Sequence, residues 1–134
     1  MQLAHAMIIA GSGMHAQSQR LRMIAENIAN VDATGKAPGE DPYRRQVIIF
    51  ENVLDRELGI PQIKVRRTHD MSDFSLKYNP GHPMADEKGY VKMPNVKTMF
   101  EMVEMKESRR AYEANLGVVE VTKAMVQKTL ELLR

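Results

Sequence analysis

The chain has no cysteine and no tryptophan, and aromatic residues make up only 5 % of its 134 positions. Without cysteine there is no disulfide framework and no thiolate metal site, so the chain is compatible with any compartment, including passage through an oxidising one. A ring-filled core is excluded as well, and 11 methionines point instead to helices packed by flexible aliphatic side chains. Charge of one sign is missing: 19 basic and 17 acidic residues leave a formal net charge of +2, far from the balance of a chain whose main partner is nucleic acid. Long apolar runs are missing too. The charge-free stretch 6–19 contains Ser, Gln and His and is too short to cross a bilayer, so no membrane insertion is expected. No basic residue precedes the brief apolar run 7–10, which Gly11 interrupts, so no cleavable signal is expected either.

What is present is helical periodicity at both ends. Leu3, Met7, Ala10, Met14, Gln17, Leu21, Ile24, Ile28 and Val31 recur at alternating steps of four and three, a heptad seam with one polar exception. The pattern predicts a helix over 3–31, roughly 43 Å long at about 1.5 Å per residue, which needs a long partner. Gly11 and Gly13 lie inside it at a cost of about 1 kcal/mol each relative to Ala. They mark either a helix break after residue 10 or a hinge or point of close backbone approach. The helix ends near 30–34, and the loop 36–42, with Pro38, Gly39 and Pro42, cannot continue it.

The middle third carries short β-prone runs at 46–50 and 63–66 and a third edge around 74–76. Pro61, Pro80, Pro83 and Pro94 fill the rest with fixed turns. The second helix is predicted over 96–133, roughly 57 Å at about 1.5 Å per residue, with Asn95 or the Thr98 to Glu101 pattern as its cap and only Gly117 as an interior weak point. Its charged residues gather on one side. One apolar face carries Met102, Met105, Tyr112, Leu116, Val119, Val126, Leu130 and Leu133, and a second carries Met99, Val103, Ala114, Val118, Val121, Met125 and Leu132. Together they cover about 200°, twice the ~100° stripe of an ordinary surface helix, so one intramolecular partner cannot bury both. The remaining face must meet another molecule.

These features predict a mainly α fold: long N- and C-terminal helices in an antiparallel coiled coil, with a small β-containing insert and extended loops between them. The segments are 1–34 for the first helix, 35–94 for the insert and 95–134 for the second helix. The ends are expected to be marginally ordered alone and to order on assembly.

Little in the sequence suggests catalysis. His5, His15, His69 and His82 are scattered without ligand spacing, so no metal is expected. His69, Asp70, Ser72 and Asp73 hold the letters of a nucleophilic triad, but near-consecutive loop positions cannot form its geometry. No Gly-rich phosphate loop is present, and no cofactor is expected. Arg44, Arg45, Arg56, Lys64, Arg66 and Arg67 bias the insert toward positive charge, which a nucleic-acid-binding module could use. Yet stacking aromatics there are few, so packing of Arg44 and Arg45 toward an acidic neighbour is the better reading.

Several word-like runs resemble a known group. Ser12-Gly13-Met14, Ala16-Gln17, Arg20-Leu21 and Glu26-Asn27-Ile28-Ala29-Asn30-Val31 are similar to the N-terminal signature of bacterial flagellar rod and hook proteins. Pro42-Tyr43-Arg44-Arg45, the run Tyr78-Asn79-Pro80-Gly81-His82-Pro83-Met84-Ala85-Asp86, Gly89-Tyr90-Val91, Pro94-Asn95-Val96 and Tyr112-Glu113-Ala114-Asn115 resemble the proximal-rod branch of that family. Lys97, where the family often has Asn, and the loop 35–41 depart from the pattern.

The resemblance implies a structural subunit and not an enzyme. It would be exported uncleaved through the flagellar type III apparatus and polymerise with other rod subunits and copies of itself into the rod that spans the periplasm and transmits torque from motor to hook. Another axial subunit of the same family is the alternative. The resemblance also suggests an inner seam of Leu21, Ile24, Ile28 and Val31 against Tyr112, Leu116, Val119 and Val126. Asn27 and Asn30 stand either as polar register markers at that seam or as caps of the helix end.

Overall fold

The computed structural model describes residues 2–134. Helix α1 spans Gln2–Ala29 and is followed by strands β1 (Gln46–Asp55), β2 (Ile60–His69), β3 (Ser75–Tyr78) and β4 (Tyr90–Met93), then by helix α2 (Thr98–Leu132). The two long helices pack against each other, and the strands form an insert of two separate two-stranded sheets, β1-β2 and β3-β4. By compactness the chain divides into two units. One contains α1 up to Leu21, Ile49–Arg66 and Met105–Arg134, and the other contains Arg22–Ile48 and Arg67–Glu104.

In the first unit α1 runs unbroken through both glycines. Only Gly13 is a point of close approach: a Cβ there would stand 2.7 Å from the Asn115 amide nitrogen of α2, whereas one at Gly11 would meet nothing within 4 Å. The buried residues of this stretch are Ala10, Gly13 and Ala16, a small-residue line that lets a second helix come near. Thr122 of α2 is buried, and its hydroxyl is satisfied by donating to the Val118 carbonyl of its own helix at 2.7 Å.

Also in this unit, the turn between β1 and β2 is built on Asp55. Its carboxylate accepts the amides of Glu57 and Leu58 at 2.9 and 3.2 Å, and Gly59 closes the turn at φ +67° with its amide on the Asp55 carbonyl. This turn chemistry carries both strands well beyond the runs that β-propensity alone suggests. An Arg66–Glu51 ion pair at 3.1 Å links the two strands.

The second unit holds the remaining core, with Met23, Ile24, Val91 and Val96 buried. β3 and β4 pair antiparallel from Ser75↔Met93 to Tyr78↔Tyr90, and the two tyrosine rings meet edge to face at 5.3 Å. The Pro-rich run is the loop of this hairpin. The Asn79 amide donates to the Gly89 carbonyl, and the Asp86 carboxylate accepts the Lys88 and Tyr90 amides. Gly89 sits at φ +82° with Tyr78 and Pro80 so close that a Cβ would be crowded. Neither candidate cap performs that role at the start of α2. Asn95 directs its side chain to the backbone of Arg45 and Asp70, and the Glu101 side chain reaches Asn27 and Arg45.

Because Leu is a far better helix former than Gly, Gly13→Leu would raise helix content if α1 were unpacked. The close approach of Asn115 predicts the opposite: a loss of helix content and about 1–3 kcal/mol of stability by overpacking. Gly11→Ala should instead gain up to ~1 kcal/mol. Far-UV circular dichroism with thermal melts of both variants checks this, and a stabilised Gly13→Leu chain would contradict the packing.

Candidate assembly surfaces and the polar clamp beneath them

The second unit is centred on a polar cluster that connects the end of α1, the start of β1 and the first turn of α2. Asn27 is fully buried. Its amide donates to the Gln46 carbonyl at 2.9 Å and its oxygen accepts the Gln46 amide at 3.0 Å, so the carboxamide pairs with β1 as a neighbouring strand residue would. The same oxygen accepts the Tyr43 hydroxyl at 2.7 Å, and the amide also lies 3.4 Å from the Glu101 carboxylate. Asn95 does for the other side what Asn27 does here, accepting the Arg45 amide at 2.7 Å and donating to the Asp70 carbonyl at 3.1 Å.

Glu101 is the costly member. Its side chain is 0 % exposed, and the guanidinium of Arg45 hydrogen-bonds it directly while also pairing with Asp70 at 3.3 Å and Glu104 at 3.5 Å. A carboxylate taken wholly out of water is tolerated only when paired in this way. Burial works against the Arg45 charge, but the bond to Glu101 and the Glu101 and Glu104 carboxylates outweigh it and hold its pKa above the ordinary value. Burial, helped by Glu26, pushes the Tyr43 phenol up and keeps it a hydrogen-bond donor. The Ser72 backbone amide, aided by the Ser72 and Arg45 side chains, holds the Asp70 carboxyl below its usual range. The stability Asp70 contributes is therefore present above its unfolded pKa and lost as pH falls through the depressed folded value.

Of the basic residues singled out in the sequence, Arg45 is spent on this cluster. Arg44 donates to the carbonyls of Asp70 and Ser72 and lies 4.3 Å over the Phe74 ring. Arg67 bridges Glu26 and Gln46. Asn30 donates to the Glu26 carbonyl at the end of its own helix. An open cleft beside the cluster is lined by Arg45, Asp70, Ser72, Asn95, Lys97, Phe100 and Glu104; Arg45 pairs with the two carboxylates, and the Lys97 ammonium lies 5.6 Å over the Phe100 ring. Among the described residues no group of three His, Cys, Asp or Glu side chains is placed to hold a metal ion, and no helix is long and apolar enough to cross a membrane.

The apolar residues named from periodicity fall into two sets. Ile24 is fully buried, and Leu21, Ile28, Val31, Met105, Tyr112 and Val119 are half-buried. Met102, Val103, Leu116, Val118, Val121, Met125, Val126 and Leu130 are exposed, with Val103 at 63 % and Val121 at 56 %. The deeply buried α2 positions are polar instead: Glu101, Ser108 and Thr122. They were missed because hydrophobic periodicity ranks them as surface. Their heptad spacing, shared by Asn115, is the signal that could have found them. Around them α2 exposes large apolar side chains along its length, from Met99 and Phe100 to Leu130 and Leu132.

Two family models match the chain, one near each end. Residues 7–35 match the family described as flagella basal body rod protein, and residues 87–132 match the C-terminal family of flagellar basal body rod FlgEFG proteins. The flagellar basal-body rod protein FlgC of Agrobacterium fabrum is 47 % identical over 133 residues, 98 % of this chain and 96 % of the relative. FlgC of Escherichia coli is 41 % identical over 98 % of both chains, and FlgC of Borreliella burgdorferi is 38 % identical over 100 % of this chain and 99 % of its own.

Arg45→Met leaves the buried Glu101 charge uncompensated and should cost about 3–5 kcal/mol in urea unfolding, whereas Glu101→Met leaves Arg45 its pairs with Asp70 and Glu104 and should cost less. The double variant should lose clearly less than their sum, by more than ~1 kcal/mol. Strict additivity in this cycle would show that the two groups act independently.

Proposed function

The chain belongs to the FlgC family of flagellar basal-body rod proteins, structural subunits of the proximal rod, and from that premise we propose how it is built into the rod. As a member of that family it assembles with other basal-body rod proteins in the flagellar basal body. In our reading α1 and α2 form an antiparallel coiled coil. Two contacts support this: Gly13 meets Asn115 and Asn27 meets Glu101, with Asn27 lying 14 residues after Gly13 and Glu101 the same 14 before Asn115. Fourteen residues is about two heptads, so the same seam positions recur at both contacts.

The single observation that carries the assembly reading is the exposed apolar surface of α2. Val103, Val118, Val121 and Met125 face neighbouring subunits in this reading, as do Met102, Leu116, Val126 and Leu130. Contacts between unlike surfaces that do not close into a ring generate a helical tube. The N-terminal helix, the insert over 35–94 and the C-terminal helix act as three parts of one subunit, the helices supplying the tube wall and the insert local contacts. Export through the flagellar type III apparatus suits a chain whose apolar faces become covered only on joining the tube. The role is structural rather than catalytic, and nucleic acid is not among the partners.

Charge placed on that surface should abolish assembly without unfolding the chain. In cells lacking the native subunit, the Val103→Glu/Val121→Glu variant should be exported yet give no rod and no motility. Its circular dichroism should match the parent, because both positions are exposed. Full motility with this variant would refute the assignment of the surface.

A further inference from the structure

We propose that Met99 and Met102 form an oxidation-sensitive site whose conversion to sulfoxide blocks the subunit from assembling. This inference rests on the reading of the α2 surface as an assembly interface.

Met99 and Met102 are 75 % and 56 % exposed, and they sit within the first two turns of α2 beside Phe100 at 64 % and Val103 at 63 %. The four make a contiguous apolar patch at positions i, i+1, i+3 and i+4. By contrast, Met23 of the same unit is 1 % exposed. A thioether must be reached by the oxidant, so the unassembled chain presents Met99 and Met102 while its core methionine is shielded. Assembly covers the patch and would protect them in turn.

The chemistry is a two-electron oxygen transfer from a peroxide. The peroxide O–O bond breaks, one oxygen forms an S=O bond to the thioether, and the peroxide is reduced to water or an alcohol with no other group consumed. The product replaces a flexible apolar side chain by a polar, chiral one, and a reductase of the methionine sulfoxide class restores it. Within an apolar contact the sulfoxide oxygen has no donor, and its burial lowers affinity by about tenfold or more per site. Leu in place of Met keeps helix propensity and volume but has no sulfur to oxidise.

The test uses the full chain, hydrogen peroxide and purified partner rod subunits. Peptide mass spectrometry should show sulfoxide at Met99 and Met102 forming at least about tenfold faster than at Met23. Association of the oxidised chain should fall by tenfold or more and return after reductase treatment. With the other exposed methionines, Met71 and Met125, changed to leucine in every chain tested, the M99L/M102L variant should associate normally before and after peroxide. Equal oxidation of Met23, undiminished association of the oxidised chain, or equal peroxide sensitivity in M99L/M102L would each overturn the proposal. Failure of the untreated parent to associate would instead count against the assembly reading itself.

Discussion

The joining of α1, the start of β1 and α2 in the second unit depends on one constraint: the Glu101 carboxylate lies out of water and is matched by Arg45 and by the amide of Asn27. Each partner comes from a different element, so the requirement of one side chain joins α1, the root of β1 and α2. Asn27 adds directional bonds to the Gln46 backbone and the Tyr43 hydroxyl, and Asn95 ties Arg45 and Asp70 from the other side. Apolar contacts of similar area would tolerate slippage by a turn or a heptad. A slipped carboxylate would be left without its guanidinium, at a cost of several kcal/mol.

This arrangement explains how a chain with little ring-bearing core keeps a defined shape while exposing so much apolar surface. Polar side chains take the deeply buried α2 positions: Glu101 bonds across to Asn27 and Arg45, Thr122 bonds within its own helix, and the Ser108 hydroxyl has no hydrogen-bond partner among the described residues. The Val and Met side chains are thereby left free to face outward. In the reading proposed above, internal register rests on a few directional bonds and the hydrophobic effect is left for contacts with neighbours.

The architecture was legible because long helices announce themselves by period. The expected ranges 3–31 and 96–133 correspond to Gln2–Ala29 and Thr98–Leu132. Of the two readings of the paired glycines, close backbone approach applies to Gly13 and not to Gly11, a distinction that depends on where Asn115 lies. The β insert was only partly legible. Tyr90–Met93 has too few residues to stand out, and Gln46–Asp55 is extended by an Asp55 turn that propensity does not register. Least legible was the polar clamp. Arg45, Glu101 and Asn95 read as surface charge or helix cap, and only their convergence in space shows that they satisfy one another.

The absence of cysteine makes the central claim directly testable, since any introduced thiol reports alone. Single cysteines at Val103 and Val121, labelled with a thiol-attached photo-cross-linker in isolated subunits and in assembled basal bodies, measure whether the outward α2 surface is a contact between chains. The account predicts photo-cross-linked pairs of chains in assembled rods and none in the isolated subunit. Failure of both positions to cross-link in rods that contain the variants would contradict it.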